Sequence, residues 1–157
     1  MNAPLRVGIA GLGTVGAALV NVLEQNGQLI AGRCNREVHL TAVTARDRSR
    51  DRGCDLSSIQ WFDDPLEMAA SRDIDVFVEL IGGEDGPALE AARAALSAGH
   101  HLVTANKAML ALHGVELAAL AEENGVLLNF EAAVAGGIPV IKTIRETLTA
   151  NRIERVY

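Results

Sequence analysis

Aromatic residues are scarce in this sequence of 157 residues: Phe, Trp and Tyr together make up 3% of it, although 49% of the residues are hydrophobic. Alanine, valine, leucine and isoleucine must therefore form the core. Small aliphatic side chains favour helices packed closely on a sheet. A chain of this length fits one domain, or one domain with the first elements of another, and can bury a sizeable core.

Cysteine is also rare, and the two that occur, Cys34 and Cys54, have neither metal-type nor CxxC spacing. We therefore interpret them as reduced thiols. The histidines likewise show no ligand spacing such as HExxH, and we assign them no zinc ion and no catalytic role. They are His39, His100, His101 and His113.

Positive charge is in deficit, with 14 basic against 20 acidic side chains and a net charge of -6. This balance argues against a broad surface for nucleic acids or anionic membranes. No apolar run approaches the roughly 20 residues that cross a bilayer, and the opening MNAPLRVGIAG lacks the apolar core of a signal peptide. We expect a cytoplasmic protein with no nucleic-acid or membrane partner.

Strand-like and helix-like segments alternate along the chain, as they do in successive βα units. Several of the strands are apolar throughout, which is typical of a sheet buried on both faces. The sequence therefore predicts an α/β fold with a doubly wound, mostly parallel sheet and helices on both faces. The predicted strands span residues 6–10, 38–45, 59–62, 76–80, 101–104 and 126–130. The predicted helices span residues 14–25, 65–70, 87–98 and 115–123, with an elongated connection over residues 26–37.

A glycine-rich segment follows the first predicted strand and has G-x-G-x-x-G spacing. Gly11 permits a tight turn, Gly13 lets the backbone approach a pyrophosphate, and Gly16 lets helix and strand pack closely. The helix N-terminus adds free N–H groups and a positive dipole end. This context favours a Rossmann-like dinucleotide site over an ordinary glycine-rich turn. The predicted contacts are Gly11, Leu12, Gly13, Thr14, Val15 and Gly16.

The second predicted strand leads to the position where an acidic residue typically marks NAD and an arginine accommodates the 2′-phosphate of NADP. Arg46 comes first and Asp47 follows. Because the planar guanidinium fork suits a phosphate, we favour NADP. NAD is the alternative, with Asp47 turned toward the ribose. For Arg48, Arg50 and Arg52, a solvated loop is the competing interpretation.

Two further segments are expected at the same edge of the sheet. The fourth predicted strand leads to Gly82 and Gly83, and the fifth ends at Thr104, close to Lys107. Ligands of open α/β sheets bind at the carboxyl ends of the strands. We therefore expect the glycine pair to approach a nicotinamide ribose, with a simple turn before Pro87 as the alternative. For Lys107, this placement favours a functional role over an ordinary surface position.

The segments GLGTVG, ELIGG, VTANKA and NFEAAVAGGIPVIKTIRE resemble, in order and spacing, those of homoserine dehydrogenases, over essentially the whole chain. TANKA combined with EAAVAGGIP is the most specific part. The resemblance implies NADH- or NADPH-dependent interconversion of homoserine and aspartate 4-semialdehyde, in threonine, methionine and isoleucine biosynthesis, by a homo-oligomer. It implies that Thr104 contacts the cofactor and that Lys107 is catalytic, stabilising charge as hydride moves.

The resemblance also implies a sodium ion in EAAVAGGIP, held largely by main-chain oxygens, although from the residues alone a hinge loop is the better interpretation. The implied sodium ligands are Glu131, Val134, Gly136 and Ile138. Residues 139–148 look helical and residues 152–157 look like a strand. We therefore expect a nucleotide-binding domain over residues 1–131 and the first elements of an incomplete second domain over residues 132–157.

By the same resemblance, the substrate-binding region and a second lysine, the proton donor, lie beyond Tyr157. We therefore expect cofactor binding without turnover, since a cofactor without an oriented substrate supplies only part of the needed stabilisation. Two alternatives stay open. A semialdehyde or dihydrodipicolinate-type reductase would need another lysine or histidine constellation after the fifth strand. A non-catalytic NAD(P)-sensing or regulatory domain would need no substrate half.

Overall fold

The computed structural model of the protein describes residues 3–156. The strands are β1 (Leu5–Ala10), β2 (Val38–Thr44), β3 (Gln60–Phe62), β4 (Val76–Glu79), β5 (His101–Thr104) and β6 (Leu128–Asn129). The α-helices are α1 (Thr14–Cys34), α2 (Pro65–Ala69), α3 (Pro87–Ser97), α4 (Lys107–Glu123) and α5 (Val140–Lys142). A 3₁₀ turn covers Glu131–Ala133 and a π-helical turn covers Thr143–Thr147.

The strands of the described chain form one sheet in the order β3-β2-β1-β4-β5-β6, and all neighbours are parallel. The order reverses between β1 and β4, which makes this pair the topological switch point. Ala10 of β1 pairs with Glu79 of β4, and Glu79 pairs with Thr104 of β5. These three strands therefore end level with one another. The predicted doubly wound parallel sheet is confirmed.

Helices cover both faces of the sheet because successive strand residues point to opposite sides. In β4, Phe77 packs in a cluster with α2, α3 and α4, whereas Val76 and Val78 pack in a second cluster with Val20 of α1. Leu56 of the loop between β2 and β3 adds to the α1 side. The aliphatic core that the composition predicts is visible in α3, where four alanines are completely buried: Ala88, Ala91, Ala92 and Ala95.

The first helix is longer than predicted. α1 has 21 residues and continues to Cys34, so the predicted elongated connection over residues 26–37 is wrong. The helix passes through Gly27 and Gly32, each of which costs about 1 kcal/mol relative to alanine but keeps its backbone N–H. It ends where Asn35 adopts a left-handed conformation, with a φ of 50°, and donates its N–H to the carbonyl oxygen of Ala31.

Helix α4 begins at Lys107, well before the predicted start at residue 115. The side chain of Asn106 caps it by accepting the N–H of Met109 at 3.1 Å. Gly114, just ahead of the predicted start, has a low helix propensity. Burial of Met109 and Leu117 on either side of it outweighs that preference. Lys107 is therefore the first residue of a helix rather than part of a loop.

The last segment differs most from expectation. Helical structure over residues 139–148 is confirmed by α5 and the π-helical turn. The strand predicted for residues 152–157 is wrong over residues 152–156, which pair with no strand of the described chain, and Tyr157 lies outside the described residues. No residue from 134 to 156 is buried. None of the helices within residues 3–156 has the length and apolar character needed to cross a membrane.

Candidate dinucleotide site

The glycine loop lies between β1 and α1, at the switch point of the sheet. Gly11 has a φ of 100°, and a Cβ there would overlap the carbonyl group of Leu80. A Cβ on Gly16 would overlap the carbonyl oxygen of Gly11. A Cβ on Gly13, in contrast, would meet no atom within 4 Å. The fold therefore requires Gly11 and Gly16, whereas Gly13 faces open space.

The start of α1 is equipped to receive an anion. Gly13 is the residue that precedes the helix, no side chain caps this end, and the first turn contains no acidic residue. The first N–H groups of a helix have no intrahelical acceptor, and the helix dipole is positive there. Thr14, Val15 and Gly16 form this first turn.

A cleft of about 630 Å³ opens in front of the glycine loop, a size typical of small-molecule sites. Its lining comes from the glycine loop, the ends of β2 and β4, the loop between β2 and β3, and the starts of α2 and α3. The lining residues are Gly11, Leu12, Gly13, Thr44, Ala45, Arg46, Asp47, Arg50, Arg52, Asp63, Pro65, Leu80, Ile81 and Pro87. Seven predicted contacts lie outside this lining: Thr14, Val15 and Gly16 in the first turn of α1, and Gly82, Gly83, Thr104 and Lys107 at or after the ends of β4 and β5.

Three arginines of the loop between β2 and β3 line the cleft: Arg46, Arg50 and Arg52. Arg52 donates through Nε to the carbonyl oxygen of Leu12 at 3.2 Å, which ties this loop to the glycine loop. Its other nitrogens donate to the carbonyl oxygens of Arg50, at 2.6 Å, and of Asp47. For Arg52, the interpretation as a merely solvated loop is therefore wrong, whereas the exposed side chain of Arg50 leaves it open for that residue.

The carboxylate of Asp47 is engaged within its own loop. Its Oδ1 accepts the N–H of Ser49 at 2.9 Å and the hydroxyl of Ser49 at 2.7 Å. These hydrogen bonds, the hydroxyl's first, lower the pKa of Asp47 below its usual value. Trp61 lies beside the same loop, with the guanidinium carbons of Arg48 and Arg52 at 5.6 and 5.5 Å from the ring centre. Both distances suit cation–π contacts.

The sequence interpretation missed a hydrogen-bond network that joins the ends of β4 and β5. Glu79, completely buried, accepts the hydroxyl of Thr104 at 2.5 Å. The same hydroxyl accepts the N–H of Asn106 at 3.0 Å, and the Asn106 amide donates to the carbonyl oxygen of Gly83 at 2.5 Å. The Thr104 hydroxyl thus donates one hydrogen bond and accepts another within the network, and the predicted cofactor contact of Thr104 stays a prediction. The signal was a lone carboxylate in the apolar strand VFVE.

Lys107 lies on the same sheet edge as the glycine loop. It is the first residue of α4, directly after the network residue Asn106, and its side chain is exposed. Two strand spacings separate β1 from β5, which is about 10 Å. The lysine and the glycine loop are thus placed at opposite ends of one ligand-sized edge.

The predicted sodium loop contains a tight turn in which Ala135 and Gly136 have φ values of 55° and 62°. The carboxylate of Glu131 accepts the N–H groups of Ile141 and Lys142 at 3.1 and 2.9 Å. The carbonyl oxygens of two predicted ligands, Glu131 and Ile138, each accept one main-chain N–H, at 3.1 and 2.8 Å. A carbonyl oxygen has two lone pairs, so each of these two oxygens keeps one that could contact a cation. No cluster of three or more His, Cys, Asp or Glu occurs among residues 3–156.

A parallel sheet of this strand order, with a glycine loop opening a helix at its switch point, defines a dinucleotide-binding α/β domain of the Rossmann type. The family model for the NAD-binding domain of homoserine dehydrogenase matches residues 11–131. The chain therefore belongs to the homoserine dehydrogenase family, as the sequence motifs implied.

Its relatives carry the same name. Homoserine dehydrogenase of Pseudomonas aeruginosa is 51% identical over 150 residues, which are 96% of this chain and 34% of that protein. The Neisseria gonorrhoeae enzyme is 46% identical over 154 residues, 98% of this chain and 35% of that protein. The chain thus spans about a third of the length of these relatives.

Solved structures agree. The crystal structure of a homoserine dehydrogenase from Thiobacillus denitrificans aligns with a TM-score of 0.86 at 43% identity, covering 96% of this chain and 34% of that one. A hyperthermophilic archaeal homoserine dehydrogenase in complex with NADPH aligns with a TM-score of 0.74 at 23% identity. The alignment covers 92% of this chain and 49% of that one. At that identity it shows a shared fold.

Proposed function

We propose that this chain binds a nicotinamide dinucleotide along the carboxyl edge of its sheet and is the cofactor-binding part of an enzyme that interconverts L-homoserine and L-aspartate 4-semialdehyde. The glycine loop carries the proposal, because Gly13 faces open space at the uncapped start of α1. The pyrophosphate contacts this loop. The adenosine lies in the cleft toward Arg46, and the nicotinamide lies toward Gly82 and Gly83. The loop contacts are Gly11, Leu12, Gly13, Thr14, Val15 and Gly16.

NADP is the preferred cofactor in this proposal. Arg46 and Arg50 line the cleft at the end of β2, where the 2′-position of the ribose falls. Asp47, the residue that would favour NAD, already uses Oδ1 for two hydrogen bonds from Ser49. The local charge therefore favours the additional phosphate of NADP over a ribose hydroxyl.

Lys107 is the proposed catalytic residue. When bound, the nicotinamide ring supplies or accepts the hydride. Lys107 has three donors on a flexible stem, and its place at the start of α4 allows the ammonium to hydrogen-bond the reacting oxygen. Negative charge that develops on this oxygen is then stabilised. Thr104 contributes its backbone and, through Asn106, the start of the helix that carries the lysine.

A sodium ion is a further proposal for the loop after β6. The ligands would be the oxygens of Glu131, Val134, Gly136 and Ile138. The free lone pairs of these carbonyl groups support it. When bound, the ion would fix the loop without taking part in hydride transfer.

The test is calorimetric titration of the chain with NADPH and NADH, in wild type and in Arg46→Ala. Loss of a charge-assisted contact worth about 1.5–3 kcal/mol should lower the affinity for NADPH roughly 10- to 100-fold and leave the affinity for NADH nearly unchanged. Arg33→Ala, in the exposed last turn of α1, is the matched charge control. Equal weakening of both cofactors would count against phosphate recognition by Arg46, and absence of binding by wild type would refute the proposal.

Turnover separates this proposal from its alternatives. The chain as it stands is expected to bind cofactor without oxidising homoserine, so robust activity in a coupled assay would contradict that expectation. A NAD(P)-sensing domain is the second candidate function, because this chain by itself forms the whole lining of the cleft in front of the glycine loop. The homo-oligomer and the cytoplasmic location stay predictions.

A further inference from the structure

A buried carboxylate stands between the two loops at the proposed nicotinamide end. Glu79 ends β4 and is 0% exposed. Among the described residues the buried polar side chains are Thr44, Glu79 and Thr104, and two of these three are bonded to each other. A carboxylate is rarely buried unless its oxygens are satisfied. The roles proposed above for the cofactor contacts and for Lys107 make no use of Glu79.

The two oxygens of Glu79 hold two different segments. Its Oε1 accepts the N–H groups of Ile81 and Gly82 at 2.8 and 3.0 Å and so fixes the turn after β4. Its Oε2 accepts the hydroxyl of Thr104 at 2.5 Å, at the end of β5. Glu79 accepts all three of these hydrogen bonds, and all three donors are neutral. Its carboxylate lies between the ends of β4 and β5 at the carboxyl edge of the sheet.

The hydrogen bonds continue from Thr104 and close a ring. The Thr104 hydroxyl accepts the N–H of Asn106, whose amide nitrogen donates to the carbonyl oxygen of Gly83. Gly83 lies in the same turn that Glu79 holds from the other side. Lys107 follows Asn106 directly. The ring therefore sets the separation between the glycine pair after β4 and the lysine at the start of α4.

We propose that Glu79 is a positioning residue for the nicotinamide end of the site, a role that rests on the proposed cofactor binding. Its carboxylate holds the turn at residues 81–83 at a fixed distance from the start of α4. The backbone of this turn and the side chain of Lys107 can then contact the same nicotinamide ring. A carboxylate only accepts hydrogen bonds. The Thr104 hydroxyl must therefore donate to Glu79, which leaves the hydroxyl oxygen to accept the N–H of Asn106.

Glu79→Gln keeps the shape of the side chain and disturbs this direction. If its amide nitrogen faces Thr104, the buried Thr104 hydroxyl loses the acceptor to which it donates in the wild type. If the amide nitrogen faces the turn instead, the N–H groups of Ile81 and Gly82 lose their acceptor. Each orientation breaks one arm of the network.

The experiment compares two probes on the chain: NADPH, which spans the whole edge, and adenosine 2′,5′-bisphosphate, which reaches only the glycine loop and the arginine end. Glu79→Gln should lower the affinity for NADPH about 10-fold, the equivalent of one lost hydrogen bond. The affinity for the bisphosphate should stay within about 2-fold of the wild-type value. Glu122→Gln, exposed at the other end of α4, is the matched control and should change neither.

The outcomes separate this inference from the proposed function. Unchanged NADPH affinity in Glu79→Gln, or proportional weakening of both probes, would overturn the positioning role while leaving cofactor binding intact. Failure of wild type to bind either probe would refute the cofactor site and the positioning role together. Should Glu79→Gln impair folding, Asn106→Asp is the second variant, because it keeps the helix cap and removes only the donor to Gly83. The same selective loss of NADPH is expected, and its absence would overturn the inference.

Discussion

Gly13→Ala separates the ligand-binding role of the glycine loop from its role in the fold. The φ of Gly13 is -74° and a Cβ would meet no atom within 4 Å, so the folded chain accepts the methyl group. Alanine gains about 0.4–1 kcal/mol by restricting the unfolded chain and loses about 0.5–1 kcal/mol as a poorer helix cap. The free energy of unfolding should therefore change by less than about 1 kcal/mol, or about 2–4 °C in Tm.

The same methyl group occupies the space in which a pyrophosphate would approach the loop. Loss of one charge-assisted hydrogen bond, worth about 1.5–3 kcal/mol, weakens NADPH roughly 10- to 100-fold. Calorimetry measures the affinity, and thermal unfolding followed by circular dichroism measures the stability. Gly16→Ala is the contrasting variant, because its Cβ would overlap the backbone of Gly11 and should cost about 1–3 kcal/mol of stability. A stable Gly13→Ala chain with wild-type affinity would refute the placement of the pyrophosphate.

Two more predictions concern an ion pair at the opposite edge and the arginine that joins two loops. Asp75 accepts three hydrogen bonds from Arg6, and the bonds from the Arg6 side chain hold the pKa of Asp75 below its usual value. The ion pair therefore stabilises the fold fully above the unfolded pKa of about 3.9, and this stabilisation is lost as the pH falls through the pKa of the folded state. Asp75→Asn should lower the free energy of unfolding by about 1 kcal/mol at pH 7, and in acid the variant should become as stable as wild type. Urea unfolding at both pH values measures this, and a difference in stability that does not depend on pH would contradict it. Arg52→Lys keeps the charge but loses the fork that reaches Leu12, so NADH and NADPH should weaken together by roughly 3- to 10-fold in calorimetry. Selective loss of NADPH would instead assign Arg52 to the 2′-phosphate.

The glycine loop could be predicted because its geometry depends on neighbouring residues. A strand, a left-handed glycine and a helix start follow one another within residues 5–16, so the local sequence fixes both the turn and the anion site. The starts of α2 at Pro65 and of α3 at Pro87 agree with the predicted helices for the same reason, because proline in the first helical turn is a local signal.

Features that depend on tertiary packing escaped prediction. Glu79 finds its hydroxyl partner 25 residues away along the chain, and Arg52 reaches the glycine loop across 40 residues. Contacts between residues so far apart in the sequence produce no recognisable pattern among neighbouring residues. The length of α1 and the early start of α4 were missed because Gly27, Gly32 and Gly114 lower helix propensity, whereas tertiary packing decides whether a helix continues.

Amide chemical shifts recorded while NADPH is added to the isotopically labelled chain test the central claim most directly. If one dinucleotide spans the carboxyl edge, the largest changes will fall on residues 11–16, 46–52 and 81–83 and at the start of α4 around Lys107. Changes concentrated around residues 99–101, at the amino edge of the sheet, would contradict the account, as would a spectrum that NADPH leaves unaltered.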